Sequence, residues 1–271
     1  MMLWHEQQGS GPDLVLVHGW GLHGGIWGDL PARLAQHFRV TTLDLPGHGR
    51  SRTAGEALSL AAFTDSVAEL CPTPAIWLGW SLGGLIALHA ALRHPHKVAQ
   101  LVLVGTTPKF VQAPDWPHAM PAELFAGFAR SLSRDYRATL LRFLSLQVGN
   151  DESARALLKQ LRAGLFAHGE PQPAALAAGL AMLEQTDLRA RLAVIRAAAL
   201  VVHGSHDRLA LPGAGEYLAA HLPQARLLRV DGAGHAPFIS HAELFAAAVA
   251  EFASGDVPPA TRARPGATEV V

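Results

Sequence analysis

Hydrophobic residues along the first part of the chain come in short, closed runs. Leu14 to Val17, Phe38 to Leu43, Ala75 to Leu78 and Leu101 to Val104 each end in glycine or proline punctuation. Two more runs follow late in the chain, Ala199 to Val202 and Arg226 to Val230. Such runs predict buried strands. Between them, Leu60 to Leu70 and Leu82 to Leu92 repeat apolar residues at three- and four-residue spacing, which predicts helices. Strand alternating with helix is the pattern of an α/β fold with a mostly parallel central sheet flanked by crossover helices.

The alternation stops after Thr107. From there to about Gln185 the pattern is helical: Ala122 to Leu132, Tyr136 to Leu146, Glu152 to Phe166 and Ala174 to Leu183. Pro114, Pro117, Pro121, Pro171 and Pro173 punctuate these stretches. The expected organisation is a core of residues 1–107 and 186–253, interrupted by an inserted helical cap at 108–185. Ala242 to Phe252 forms the closing helix. Residues 254–271, rich in Pro, Ala, Thr and Arg, predict a disordered tail.

Composition adds limits. The 271 residues are 49% hydrophobic and only 16% charged, so a sizeable core is expected. Net charge is zero, which gives no reason to expect nucleic-acid or membrane binding. A single cysteine, Cys71, excludes an internal disulfide and reads as a small apolar packer. The first residues carry no basic-then-apolar leader, and no apolar run is long enough to span a bilayer. The cytoplasm and a monomer are the default expectations.

Chemistry concentrates at Gly79-Trp80-Ser81-Leu82-Gly83, between a predicted strand and a predicted helix. The pattern G-x-S-x-G in that context is a nucleophile elbow, whose tight turn needs small flanking residues. A serine hydroxyl requires an adjacent base, and a histidine base requires an acid behind it. In chain order Ser81, Asp207 and His235 meet these needs, each in a loop past the carboxyl end of a strand. His18, His203 and His206 compete for the base, and Asp44 and Asp231 for the acid. His18 suits a structural role, His203 and His206 local hydrogen bonding, and Asp44 a structural turn. Asp231 lies too near His235 along the chain. The backbone N–H groups of Leu82 and Trp20 are the expected oxyanion donors. Nothing calls for a metal or organic cofactor.

With these residues placed, the chain resembles the α/β-hydrolase superfamily, and within it the BioH-type esterases that demethylate pimeloyl-[acyl-carrier protein] methyl ester. The likeness runs from about Leu3 to Phe252. It rests on Leu14 to Leu22, Asp44-Leu45-Pro46-Gly47, Ala75 to Gly84, Arg142 to Gln147 and Gly234 to His241. The acid loop, with His203-Gly204-Ser205-His206 before Asp207, departs from it in detail, and the cap is shorter after Gln147. The resemblance implies that Ser81 attacks the methyl ester and that His235 protonates departing methanol. It places Trp20, Ser81, Leu82, Phe143, Leu144, Ser145, Leu146, Gln147 and His235 around the substrate, and Trp80 also suits an apolar wall. It further implies an acyl carrier protein as partner. Arg137, Arg142, Arg155, Lys159 and Arg162 are spaced to give a basic docking face, though an ordinary solvated face reads equally well from spacing. A broad esterase, lactonase or carbon–carbon hydrolase of the same fold is the enzyme alternative. A non-catalytic ligand receptor is the alternative outside enzymes.

Overall fold

The computed structural model describes residues 2–54, 57–71, 74–147, 158, 161–162 and 164–255. Seven strands form one sheet: β1 His5–Gln8, β2 Asp13–Val17, β3 Arg39–Leu43, β4 Ala75–Trp80, β5 Val98–Val104, β6 Ala198–Gly204 and β7 Ala225–Val230. Their spatial order is β1-β3-β2-β4-β5-β6-β7. All pairs are parallel except β1 with β3. β1 is an addition to the expected set. Its sequence, His-Glu-Gln-Gln, is polar and exposed, so no apolar run announces it.

Helices α1 Leu30–Leu34, α2 Leu60–Leu70 and α3 Leu82–Arg93 connect the first strands. After β5 the chain leaves the sheet and forms α4 Ala122–Arg134, α5 Tyr136–Gln147 and α6 Pro173–Gln185. It then returns through β6, α7 Pro212–His221, β7, the short α8 Pro237–Ser240 and α9 Ala242–Ser254. Ser254, expected to open the tail, instead ends α9, and Gly255 caps it in the left-handed conformation. Residues 256–271 lie outside the described residues, as does part of the expected Glu152 to Phe166 helix.

Every residue of β4 is buried, and β2, β5 and β6 are buried along their carboxyl-terminal halves. That is why these strands read as continuous apolar runs. β2 pairs with β3 on one side and β4 on the other, so the chain winds outward in both directions from this point. Crevices in such sheets open at the carboxyl ends of strands where the winding reverses. The loops after β2 and β4 meet there.

Candidate active site

Ser81 stands between β4 and α3 with φ of 56°, and among the described residues no other non-glycine has positive φ. That conformation costs on the order of 1–3 kcal/mol and persists only where surroundings enforce it. The Ser81 N–H donates to Val104 O at 2.9 Å, and Thr106 Oγ1 donates to Ser81 O at 2.8 Å. Gly83 makes the close approach possible, because a Cβ there would drive into the Val17 carbonyl. The serine is therefore clamped at the sheet edge and at the N-terminus of α3.

Asp207 and His235 meet from different loops. His235 Nδ1–H donates to Asp207 Oδ2 at 2.8 Å, and both side chains are fully buried. Asp207 Oδ1 accepts from the Leu209 and Ala210 N–H groups at 2.8 and 3.1 Å. With its proton held on Nδ1, His235 keeps a lone pair on Nε2, which is buried and makes no hydrogen bond. No hydrogen bond joins it to Ser81 Oγ; in free hydrolases that contact commonly tightens when substrate binds. Gly105, at φ of 48°, lets the His235 loop pack down, since a Cβ there would fall 2.7 Å from His235 O.

The loop after β2 lies against this elbow. A Cβ on Gly19 would fall 3.3 Å from the Ser81 Cβ. The N–H groups of Trp20 and Leu82 donate to no group among the described residues. Leu82 N–H also lies at the positive end of the α3 dipole. Two free donors beside a nucleophile are what a developing oxyanion needs.

The rival residues are occupied elsewhere. His18 donates from Nδ1 to Gly19 O and accepts the Leu45 N–H at Nε2. Burial, with His48 nearby, lowers its pKa to about 3, so it stays neutral and ties loops together. His206 is exposed. Asp231 is exposed and lies 3.8 Å from Arg229. Asp44 takes hydrogen bonds from Gly24 N–H and from Arg50. Burial alone would raise its carboxyl, but the Arg50 hydrogen bonds and His18 outweigh that and hold it at about 2. Burial pushes the Cys71 thiol up to about 12, which makes it no nucleophile at neutral pH. Among the described residues no group of three or more His, Cys, Asp or Glu side chains is placed to hold a metal ion.

Ser81 opens onto an apolar cavity. Trp20, Phe143 and Leu209 line it, together with Phe110, Met120, Phe125, Phe128, Leu180 and Leu183. The inserted helices supply Phe125, Phe128, Phe143, Leu180 and Leu183. α6 also fixes Trp20, whose Nε1–H donates to Leu176 O at 2.9 Å, and Phe143 meets the Trp20 ring edge-on at 5.1 Å.

Several expected wall residues sit elsewhere. Leu144 is fully buried in the core and does not line the cavity, because successive residues of α5 point about 100° apart around the helix and it is turned away from Phe143. The Ser145 hydroxyl donates to Leu141 O and accepts from Arg162. Leu82 is fully buried and does not line the cavity. His235 is fully buried and does not line the cavity. The side chains of Leu146 and Gln147 lie outside the described residues. Trp80 is no wall either. It is buried against Phe238 and Trp27, and its Nε1–H donates to His235 O at 2.9 Å. The residue before Ser81 thus holds the loop that carries His235.

On the expected basic face, Arg137, Arg142 and Arg162 are exposed. Arg137 pairs with Glu170, Arg142 lies over the Phe128 ring at 5.4 Å, and Arg162 bonds Ser145 at 3.0 Å. Arg155 and Lys159 lie outside the described residues.

Comparison with known proteins agrees with this geometry. Residues 12–242 match the model of the alpha/beta hydrolase fold family. A Xanthomonas oryzae pv. oryzae protein named pimeloyl-[acyl-carrier protein] methyl ester esterase is 49% identical over 90% of this chain and 96% of its own. The chain belongs to this esterase family of α/β hydrolases. A family member from Stenotrophomonas maltophilia is 45% identical over 92% of this chain and 96% of its own. Among solved structures, a hydrolase from Pseudomonas aeruginosa superposes with a TM-score of 0.81 at 29% identity, covering 93% of this chain and 94% of its own. An enol-lactonase from Burkholderia xenovorans does so with a TM-score of 0.81 at 25% identity, covering 93% and 96%. In this chain Ser81 sits at the turn between β4 and α3, and Asp207 and His235 sit in the loops after β6 and β7. No helix among the described residues is long and apolar enough to cross a membrane.

Proposed function

We propose that the protein hydrolyses the methyl ester of pimeloyl-[acyl-carrier protein] methyl ester, releasing methanol and the free ω-carboxylate on the carrier. The observation that carries this reading is a serine elbow, with a buried His235–Asp207 pair beside it, opening onto an apolar, Phe-lined cavity. A pimeloyl chain is a ladder of methylenes, and such a cavity favours it over a charged or polar acyl group.

Ser81 Oγ attacks the ester carbonyl while His235 Nε2 takes the hydroxyl proton. Asp207 holds His235 in the required tautomer and balances the imidazolium that forms. The Trp20 and Leu82 N–H groups hold the oxyanion of the tetrahedral intermediate. On collapse, His235 returns the proton to the methoxide, and methanol leaves. Water then attacks the acyl-enzyme with His235 as base, releasing the acid and restoring Ser81. The product carboxylate finds no cation among the cavity-lining side chains, which favours its departure.

The inserted helices act as the substrate cap over residues 108–185. Arg142 and Arg162, exposed beside this cavity, supply the described part of a face for an acidic carrier. Such a face raises association rate and weakens with salt. Reversing both charges is expected to slow carrier-linked ester cleavage and spare a short nitrophenyl ester; equal effects on both would remove the docking role. The function is tested by rescue of a biotin auxotroph lacking its own esterase. Failure of a well-expressed, active protein to rescue would favour a broad small-molecule esterase.

A further inference from the structure

We infer that His203 is a positioning residue for the catalytic acid, a second imidazole fastened to the Asp207 turn beside the same carboxylate oxygen that takes the His235 hydrogen bond. The inference rests on the Ser81–His235–Asp207 reading above. His203 lies in β6, just before the turn, and its side chain is 1% exposed. Its Nε2 is 2.7 Å from Ala210 O and 3.5 Å from Asp207 Oδ2. A contact to a carbonyl oxygen requires the proton on Nε2. The N–H dipole therefore binds the Ala210 carbonyl and also presents its positive end to the carboxylate.

Nδ1 then carries the lone pair. It is buried and has no hydrogen-bond partner. Gly215 of α7 packs over it so closely that a Cβ there would fall 2.7 Å away, which leaves no place for a second donor. Burial, helped by nearby His235, outweighs the Asp207 and Glu216 carboxylates and the Ala210 hydrogen bond and holds the ring neutral. A plain packing residue would not leave one ring nitrogen bare while spending the other on this particular turn.

Ala210 is engaged through both of its backbone polar groups. Ala210 N–H donates to Asp207 Oδ1, while Ala210 C=O accepts from His203. His203 thereby closes the Asp207-to-Ala210 turn. That turn aims Oδ2 at His235 and places Leu209 in the wall of the acyl cavity. Loosening it would let the carboxylate rotate while the binding cavity stays largely built. The expected signature is a loss in kcat with little change in KM.

The test compares full-length His203→Phe and His203→Gln with wild type on p-nitrophenyl butyrate, with thermal melts to establish folding. Phenylalanine keeps the ring volume and removes the donor. Glutamine can bring an amide N–H to the Nε2 position. We expect His203→Phe to lose about tenfold to a hundredfold in kcat, as misplaced catalytic groups do. We expect His203→Gln to stay within about threefold. The low-field proton resonance of the His235–Asp207 bond should weaken in the first variant and persist in the second. If His203→Phe does not fold, His203→Asn replaces it, because its amide reaches only the Nδ1 position. A folded His203→Phe or His203→Asn with wild-type kcat, or a His203→Gln as impaired as His203→Phe, overturns the inference. Ser81→Ala separates the two levels: full turnover in that variant would instead remove the triad itself.

Discussion

Replacing Asp44 by Asn tests how the oxyanion loop is held. The carboxylate is fully buried, accepts the Gly24 N–H at 2.7 Å, and takes the Arg50 backbone N–H and guanidinium Nε at 2.9 and 2.7 Å. Those bonds bring its carboxyl from the ordinary 3.8 down to about 2. A shift of that size corresponds to about 2 kcal/mol of folding free energy. Breaking a wholly buried pair costs about 3–5 kcal/mol, but Arg50 keeps partial access to water and can re-solvate, so the smaller figure is the better guide. The sign follows from the depressed value. The stabilisation is complete above the unfolded carboxyl's range and disappears as pH falls toward the folded one. Roughly half should be gone by about pH 3. Urea unfolding of wild type and Asp44→Asn, followed by tryptophan fluorescence from neutral pH downward, measures the gap directly. We expect about 2 kcal/mol near pH 7, shrinking on acidification, together with reduced kcat because Gly24 anchors the loop that carries Trp20. A gap that is absent at pH 7, or that does not change with pH, would refute the reasoning.

Other perturbations probe the site's supports. Trp80→Phe removes the N–H that binds His235 O and leaves a buried carbonyl unpaired; we expect about 1–3 kcal/mol lower stability in denaturant melts and a lower kcat, and unchanged values of both would contradict the role. Gly179→Ala places a Cβ 2.7 Å from Trp20 Cδ1, so the indole must shift from its bond to Leu176 O. The expected result is about 1–3 kcal/mol of overpacking and impaired ester turnover, and a variant with wild-type Tm and kcat/KM would show that this packing is unimportant.

Much of this was legible in the residues because buried parallel strands and strained turns leave strong marks. The runs at Leu14, Ala75, Leu101 and Ala199 became β2, β4, β5 and β6 since burial on both faces demands continuous apolar sequence. Ser81 stood out because only small neighbours permit its turn. β1 left no mark, since an exposed edge strand of His-Glu-Gln-Gln needs no apolar pattern. The cavity was harder to read. Phe110, Met120, Phe125, Phe128, Leu180, Leu183 and Leu209 have the same apolar character whether they fill a core or line a pocket, and only their packing separates the two. Trp80 misled for a related reason: an indole is wall and donor at once, and its direction is set by the tertiary fold. Leu144 and Phe143 are adjacent in sequence, yet helical geometry sends one into the core and the other into the cavity.

The most direct test of the central claim follows purified wild type and Ser81→Ala with pimeloyl-[acyl-carrier protein] methyl ester, reading the intact carrier by mass spectrometry. The account predicts complete conversion to the free acid by wild type, no conversion by the folded Ser81→Ala variant, and, under rapid quench, a transient covalent enzyme–carrier adduct joined at Ser81 through the pimeloyl chain. Wild-type conversion by Ser81→Ala, or an untouched carrier ester with an enzyme that still cleaves nitrophenyl esters, would contradict it.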